Sequence, residues 1–258
     1  MTKQTFAEAG IEGAEPPAPI WVRRAAATIW AARLATLLAI GLLWQLASAT
    51  WLDPFWISSP VAILQRLYGW IAGGTLWLHI GYTLLATIVA FVIGSAVGVL
   101  LGVTFGLNAR VAAVLDPFFG AVYSLPKVAL APLFILWFGI GIESKIVLAS
   151  VGVFFLVFYN TYSGTLSVDR ELVDVLRLMG SKRWQIIRMV ILPSALLWIM
   201  TGMKVSIPYA MIGVIVAEMM ASNRGLGYLV QSSAGQFDTS GVFAALTVLM
   251  AISIALQA

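Results

Sequence analysis

The 258-residue chain has no cysteine, one histidine (His79) and few charges. Without cysteine there is no disulfide framework, no thiolate nucleophile and no sulfur-ligated metal. A single imidazole excludes any site built on paired histidines. Charged residues make up 10% of the chain, against about 25% in average soluble proteins. The net charge of +4 is too small to indicate a nucleic-acid partner. Hydrophobic residues reach 61%, and mean hydropathy is +0.97. A soluble fold of this length would leave large apolar patches in water, so the composition points to a chain solvated largely by lipid.

What is present is a series of long stretches with little charge. Residues 34–52, 146–168 and 239–258 carry none, 67–109 hold only His79, 117–142 only Lys127, and 189–217 only Lys204. A spanning helix needs about 20 apolar residues. These runs therefore predict an all-α membrane protein with six spans near 34–51, 82–107, 118–139, 146–167, 191–217 and 239–258. They do not alternate apolar and polar residues, as a lipid-facing barrel strand would. Residues 1–30 are expected to be a mobile cytoplasmic tail and 31–258 the membrane domain. Glu8, Glu12, Glu15 and three prolines among the first 20 residues leave no apolar core of a signal peptide.

Basic residues fix the expected orientation. With a cytoplasmic N-terminus, ten fall inside, among them Arg23, Arg24, Arg33, Arg110, Arg183 and Arg188. Only Arg66, Lys145 and Arg224 fall outside, so both termini are expected in the cytoplasm. Ala90, Gly94, Gly98, Gly102 and Gly106 recur every four residues, a spacing that lets two helix backbones approach closely in lipid. Ser59-Pro60 marks a helix start, followed by Val61, Leu64, Leu67, Tyr68 and Ile71 at helical spacing.

The longest polar interruption between spans is 169–193, DRELVDVLRLMGSKRWQIIRMVILP. Leu172, Val175, Leu176 and Met179 form an apolar stripe. Gly180 suits a left-handed helix end, and Ser181 suits the cap of a second helix through Trp184, Ile187 and Val190. Such a hairpin at the membrane mouth can dock in another protein's groove, or lie on lipid headgroups.

Its spacing resembles the EAA loop of ABC-transporter permeases: Glu-Ala-Ala, three residues, Gly, nine residues, Ile, one residue, Leu-Pro. Asp174 stands at the Glu position, Val175 and Leu176 at the alanines, Gly180 at the glycine, Val190 at the Ile, and Leu192-Pro193 close the pattern. The carboxylate is shorter and both alanine positions are bulkier than in that pattern. SLPKVALAPLFILWFGIG (124–141) and GVIVAEMMASNRGLGYLVQ (213–231) resemble the nitrate/sulfonate/taurine branch of bacterial importers. The likeness runs from about residue 54 to the C-terminus. It implies a type I importer permease in the bacterial inner membrane, working as a pair, usually a homodimer. A cytoplasmic ATPase dimer carrying ATP and Mg would dock on residues 169–190, with contacts at Glu171, Asp174, Val175, Leu176, Arg177, Gly180, Ser181 and Pro193. A periplasmic binding protein would deliver the solute. No Walker A loop occurs, so the chain itself is expected to be neither a nucleotide hydrolase nor another enzyme, and to need no cofactor.

An ionisable group within a span is a functional hypothesis. Lys127 and Lys204 are expected near mid-membrane, either facing a path for small anions or pairing and bending toward an interface. Lys204, Met211 and Glu218 are spaced by seven and share a helix face. Glu218 is expected to pair with Arg224, with gating as the alternative reading. Met211 is expected to pack, with a place on the translocation path beside Lys204 and Glu218 as the alternative, and His79 to be structural. A stand-alone secondary transporter or channel would need internal repeats, and none is evident. An intramembrane hydrolase would need a nucleophile and base that the spans lack. A scaffold without a solute path leaves the two lysines unexplained.

Overall fold

The computed structural model describes residues 20–257, all helical or turn. The expected tail up to residue 19 lies outside these. The remainder of that tail, from Ile20, is part of the first helix, α1 (Ile20–Thr50). Among the described residues, five helices are long and apolar enough to cross a membrane, or six if a pair bent by 85° is counted as one span.

The chain divides into two units at Val61/Ala62. The first holds α1 and the short α2 (Pro54–Ile57), whose N-cap Asp53 accepts from the Phe55 N–H at 2.9 Å. Leu37, Leu38, Leu42 and Leu43 are all well exposed on α1, which suits a helix clothed in lipid. Thr36 and Thr50 donate to carbonyls four residues back, at 2.9 and 2.7 Å, so neither hydroxyl enters hydrocarbon unpaired.

The second unit carries the bundle. After α3 (Pro60–Ala72), which starts at the expected proline, a left-handed Gly74 (φ 73°) opens α4 (Thr75–Leu107). This helix begins seven residues earlier than the expected second span. The glycine turn, rather than a change of hydropathy, sets its start. The third expected span, 118–139, is not one helix. α5 (Ala109–Ser124) and α6 (Ala131–Phe138) flank a 3-10 turn (Lys127–Leu130), and the two halves meet at 85°. Pro126 is the reason: it has no N–H to continue α5 and holds Leu125 extended (ψ 137°). α7 (Ile142–Leu166), α8 (Arg170–Leu178), α9 (Arg183–Ile186), α10 (Leu192–Met220), α11 (Leu226–Gly235) and α12 (Thr239–Gln257) complete the unit.

The small-residue stripe of α4 packs on α7. A Cβ on Gly94 would stand 2.6 Å from the Ser150 carbonyl, and one on Gly102 2.6 Å from Thr161 Cβ, so no larger residue fits without movement. Ala90 is fully buried, and its carbonyl accepts from Ser150 Oγ at 3.2 Å. α10 closes on the other side of α7 through Gly164 beneath Trp198, Gly202 against Asn160, and Gly213 against Ala149. α4, α7 and α10 thus form a slab held by backbone proximity, the type of packing that stabilises helices in lipid. α11 and α12 cover one end with a cluster of Leu76, Met211, Leu226, Leu229, Val230, Ala245 and Leu249.

Candidate functional site: the hairpin, the cleft and the buried cluster

The two ends of the slab differ in construction. At one end α8 folds back into the long helix that becomes α10. Asp169 caps α8, accepting from the Glu171 N–H at 2.8 Å. Gly180 (φ 78°) ends it in the left-handed conformation. Gly180 N–H donates to Arg177 O and Ser181 N–H to Leu176 O, both at 3.0 Å, which is a complete Schellman closure. Ser181 is therefore not the cap of the next helix. Lys182 holds that position, and Gln185 Oε1 accepts from its N–H at 2.7 Å. The expected apolar stripe divides. Leu176 turns toward the body, while Leu172 (53% exposed), Val175 and Met179 join Leu178 (89% exposed) on the outside. Glu171 is exposed beside them, and Asp174 pairs with Arg177 at 3.0 Å on the exposed surface.

Two features bind the hairpin to the slab. Arg183 Nη2 donates to Leu107 O (3.2 Å) and Asn108 Oδ1 (3.4 Å), placing a guanidinium on the C-terminus of α4, where the helix dipole favours a cation. One π-helical turn (Ile187–Ile191) then joins α9 to α10, and Pro193 falls in the first turn of α10, where its missing N–H is tolerated. Neither the arginine contact nor the π turn has a periodicity signal in the sequence.

Midway along the slab, the elbow between α5 and α6 opens a cleft of about 290 Å³ lined by Tyr123, Lys127, Leu148, Gly152, Tyr209 and Ile212, with others. Lys127 is half-buried at the elbow, not inside a continuous span. Its ammonium donates to Tyr123 O and lies 4.0 Å from the centroid of the Tyr123 ring, a cation–π contact. Lys204 is exposed on α10 and does not line this cleft. The shared face expected for Lys204, Met211 and Glu218 is not a shared environment. Met211 belongs to the apolar cluster under α11, and Glu218 is 1% exposed.

Glu218 does not pair with Arg224 either. It is the centre of a buried polar cluster at the end of the slab opposite the hairpin. Its carboxyl oxygens accept from Thr83 Oγ1 at 2.9 and 3.0 Å and from the Gly227 N–H at 2.8 Å. The Leu226 N–H donates to Thr83 Oγ1 at 2.8 Å, and the Gly225 N–H to His79 Nδ1 at 3.0 Å. Three consecutive N–H groups at the start of α11 are thus satisfied by three side chains from α4 and α10, which discharges the unpaired donors of a helix start. Lys145, counted above among outer loop cations, is instead fully buried in the first turn of α7. It donates to Ile140 O at 2.7 Å and to Ala221 O, the residue that ends α10, and lies within Coulombic reach of Glu218. His79 also stacks on Tyr228, 5.7 Å between centroids, a structural role as expected.

Residues 94–258 match the family described as binding-protein-dependent transport system inner membrane component. The chain belongs to this family. It is accordingly a multi-pass inner-membrane permease subunit of an ABC importer, and not an enzyme. Relatives include the formylaminopyrimidine transport permease ThiX of Halalkalibacterium halodurans (31% identity, 84% of this chain and 86% of that one). The riboflavin transport system permease RibX of Chloroflexus aurantiacus is 37% identical over 86% of this chain and 83% of its own. The taurine transport permease TauC of Escherichia coli is 31% identical over 92% and 87%. The solved MetNI methionine ABC transporter in inward-facing form shares the fold, with a TM-score of 0.58 at 23% identity over 73% of this chain and 92% of that one. Within this permease, the hairpin is the segment whose spacing resembles the EAA loop. Lys145, Thr83, Arg183, Tyr123 and Tyr209 are the residues that sequence reasoning did not single out. A charge one turn inside a helix start was the only available signal, and it applied to Lys145 alone.

Proposed function

We propose that this permease works as a homodimer in an ATP-driven importer, takes its solute from a periplasmic binding protein, and carries small anions of the sulfonate, taurine or nitrate type. Both termini and the 169–190 hairpin face the cytoplasm, following the bias of basic residues. A cytoplasmic ATPase dimer, holding ATP and Mg, docks on the outward face formed by Leu172, Val175, Leu178 and Met179. The carrying observation is that face. It is an exposed apolar surface on a helix capped at both ends, tied through Arg183 and a π turn to two helices of the slab. Such a hairpin is stiff enough to pass a push into the membrane.

The anion reading rests on Lys127, the charged residue of the cleft, held by the Tyr123 ring and carbonyl at a break in the helix. Lys204 adds a second cation on α10, and two copies of the chain would bring four toward one axis. The relatives are named for solutes of different chemistry, so charge at the cleft is what separates this reading from a neutral heterocycle. The test is uptake into vesicles holding the permease, its ATPase and its binding protein, with taurine, nitrate and riboflavin as probes. Lys127→Met is expected to lower anion uptake about tenfold, a loss of about 1.4 kcal/mol at the barrier, with ATPase assembly unchanged. Anion uptake that survives Lys127→Met and Lys204→Met together, or uptake of riboflavin alone, contradicts it.

A further inference from the structure

We propose that the buried Lys145–Glu218 cluster welds the ends of α4, α7, α10 and α11 into one body that does not come apart during transport, so that passage of solute moves this body as a unit. The inference rests on the importer reading above and adds to it which helices stay together.

Three observations carry it. The cluster is buried: Lys145, Glu218 and Thr83 are each at most 1% exposed. It also satisfies backbone groups at helix ends. Glu218 and Thr83 take the N–H groups that open α11, and Lys145 takes the carbonyl that closes α10 together with that of Ile140 after α6. Parting these helices would strand donors, acceptors and two ionisable groups without partners in a buried interior, which is unfavourable for each of them. Space is the second observation. A Cβ on Gly227 would stand 2.8 Å from Glu218 Cβ, and one on Gly225 would also collide with that carboxyl group, so the start of α11 sits directly on α10. The third is that the same intimacy continues down both seams of α7, at Gly94, Gly98 and Gly102 on one side and Gly213, Gly202 and Gly164 on the other. The breaks in regular helix lie outside this body, at the 85° elbow and the π turn.

The absence of cysteine makes the test direct. Spin labels are placed on introduced cysteines at exposed positions around the cluster: Trp77→Cys with Gln231→Cys, joining α4 to α11, and Glu143→Cys with Met220→Cys, joining α7 to α10. A third variant, Met189→Cys, reports the distance between the two copies at the hairpin end. Distances are read in the whole transporter with its ATPase, nucleotide-free and trapped with ATP and vanadate. The expected result is a shift of several ångströms for Met189 and shifts below about 1 Å for both cluster pairs, smaller than a helix shift in a switching protein. Adding Glu218→Gln is expected to broaden the 77–231 distribution. Cluster pairs that separate on ATP binding overturn the weld, as does a Glu218→Gln transporter with unchanged distributions. A Met189 distance that ignores ATP defeats the importer reading itself, and the weld falls with it.

Discussion

The two ends of the slab solve opposite problems. At the hairpin end, apolar side chains are left uncovered. Leu178 and Met179 point away from the body, and the turn itself is held by local contacts, an Asx cap and a Schellman closure, with Arg183 as its one described long-range hydrogen bond, to the end of α4. At the cluster end, ionisable side chains are buried, and the contacts join residues far apart in sequence, Thr83 to Glu218 and Lys145 to Ala221. An end built from local contacts can move and be gripped by another protein without unfolding the bundle. One built from long-range buried polar contacts resists being opened.

The comparison is sharpened by substitutions of graded effect. Glu218→Ala should be the most damaging. It orphans the Gly227 N–H and the Thr83 hydroxyl and removes the counter-charge near Lys145, a loss of about 3–5 kcal/mol. A large fall in folded yield and in the detergent unfolding midpoint is expected. An unfolding midpoint near wild type would mean that the cluster does not hold the end together. Gly102→Val comes next, at about 1–3 kcal/mol, because the added side chain meets Thr161 Cβ and the Phe158 carbonyl, and a backbone carbonyl cannot yield. Gly69→Ala is its control, since nothing lies within 4 Å of the position, and it should be neutral or mildly stabilising.

What the sequence revealed, and what it hid, follows the same division. Features set by neighbours in the chain were legible: the proline start of α3, the glycine seam of α4, and the left-handed Gly180 turn with its spacing of apolar residues. So was the membrane class, because uninterrupted apolar length is itself a physical requirement. Features set by distant partners were not. Nothing near Glu218 indicates that its partner is Thr83, 135 residues away, and Arg224 is the obvious but wrong candidate. The start of α11 is held by His79, Thr83 and Glu218 from other helices, which no local pattern around Gly225 displays. The elbow at Pro126 was hidden in a low-charge run, since hydropathy reports how much apolar length is present and not whether it is straight.

Smaller effects test the hairpin. Gly180→Ala places a Cβ at φ 78° and should weaken the turn by about 1 kcal/mol. The unfolding midpoint should barely move, since the turn is local, while ATP turnover in the assembled transporter should drop several-fold. Equal losses in both would show the hairpin to be part of the rigid body. Arg177→Ala should change stability least, by about 0.3–0.5 kcal/mol, because its pairing with Asp174 is largely solvent-exposed. Any larger loss of ATPase assembly from this variant would therefore report docking.

The most direct test of the central claim, that this end is the handle of a separate motor, is the amount of ATPase that co-purifies with the permease when Leu178, the most exposed apolar residue of the hairpin, becomes aspartate. The account predicts a folded Leu178→Asp permease, with an unfolding midpoint like the wild type, that no longer retains the ATPase. A variant that retains it in full would contradict the account.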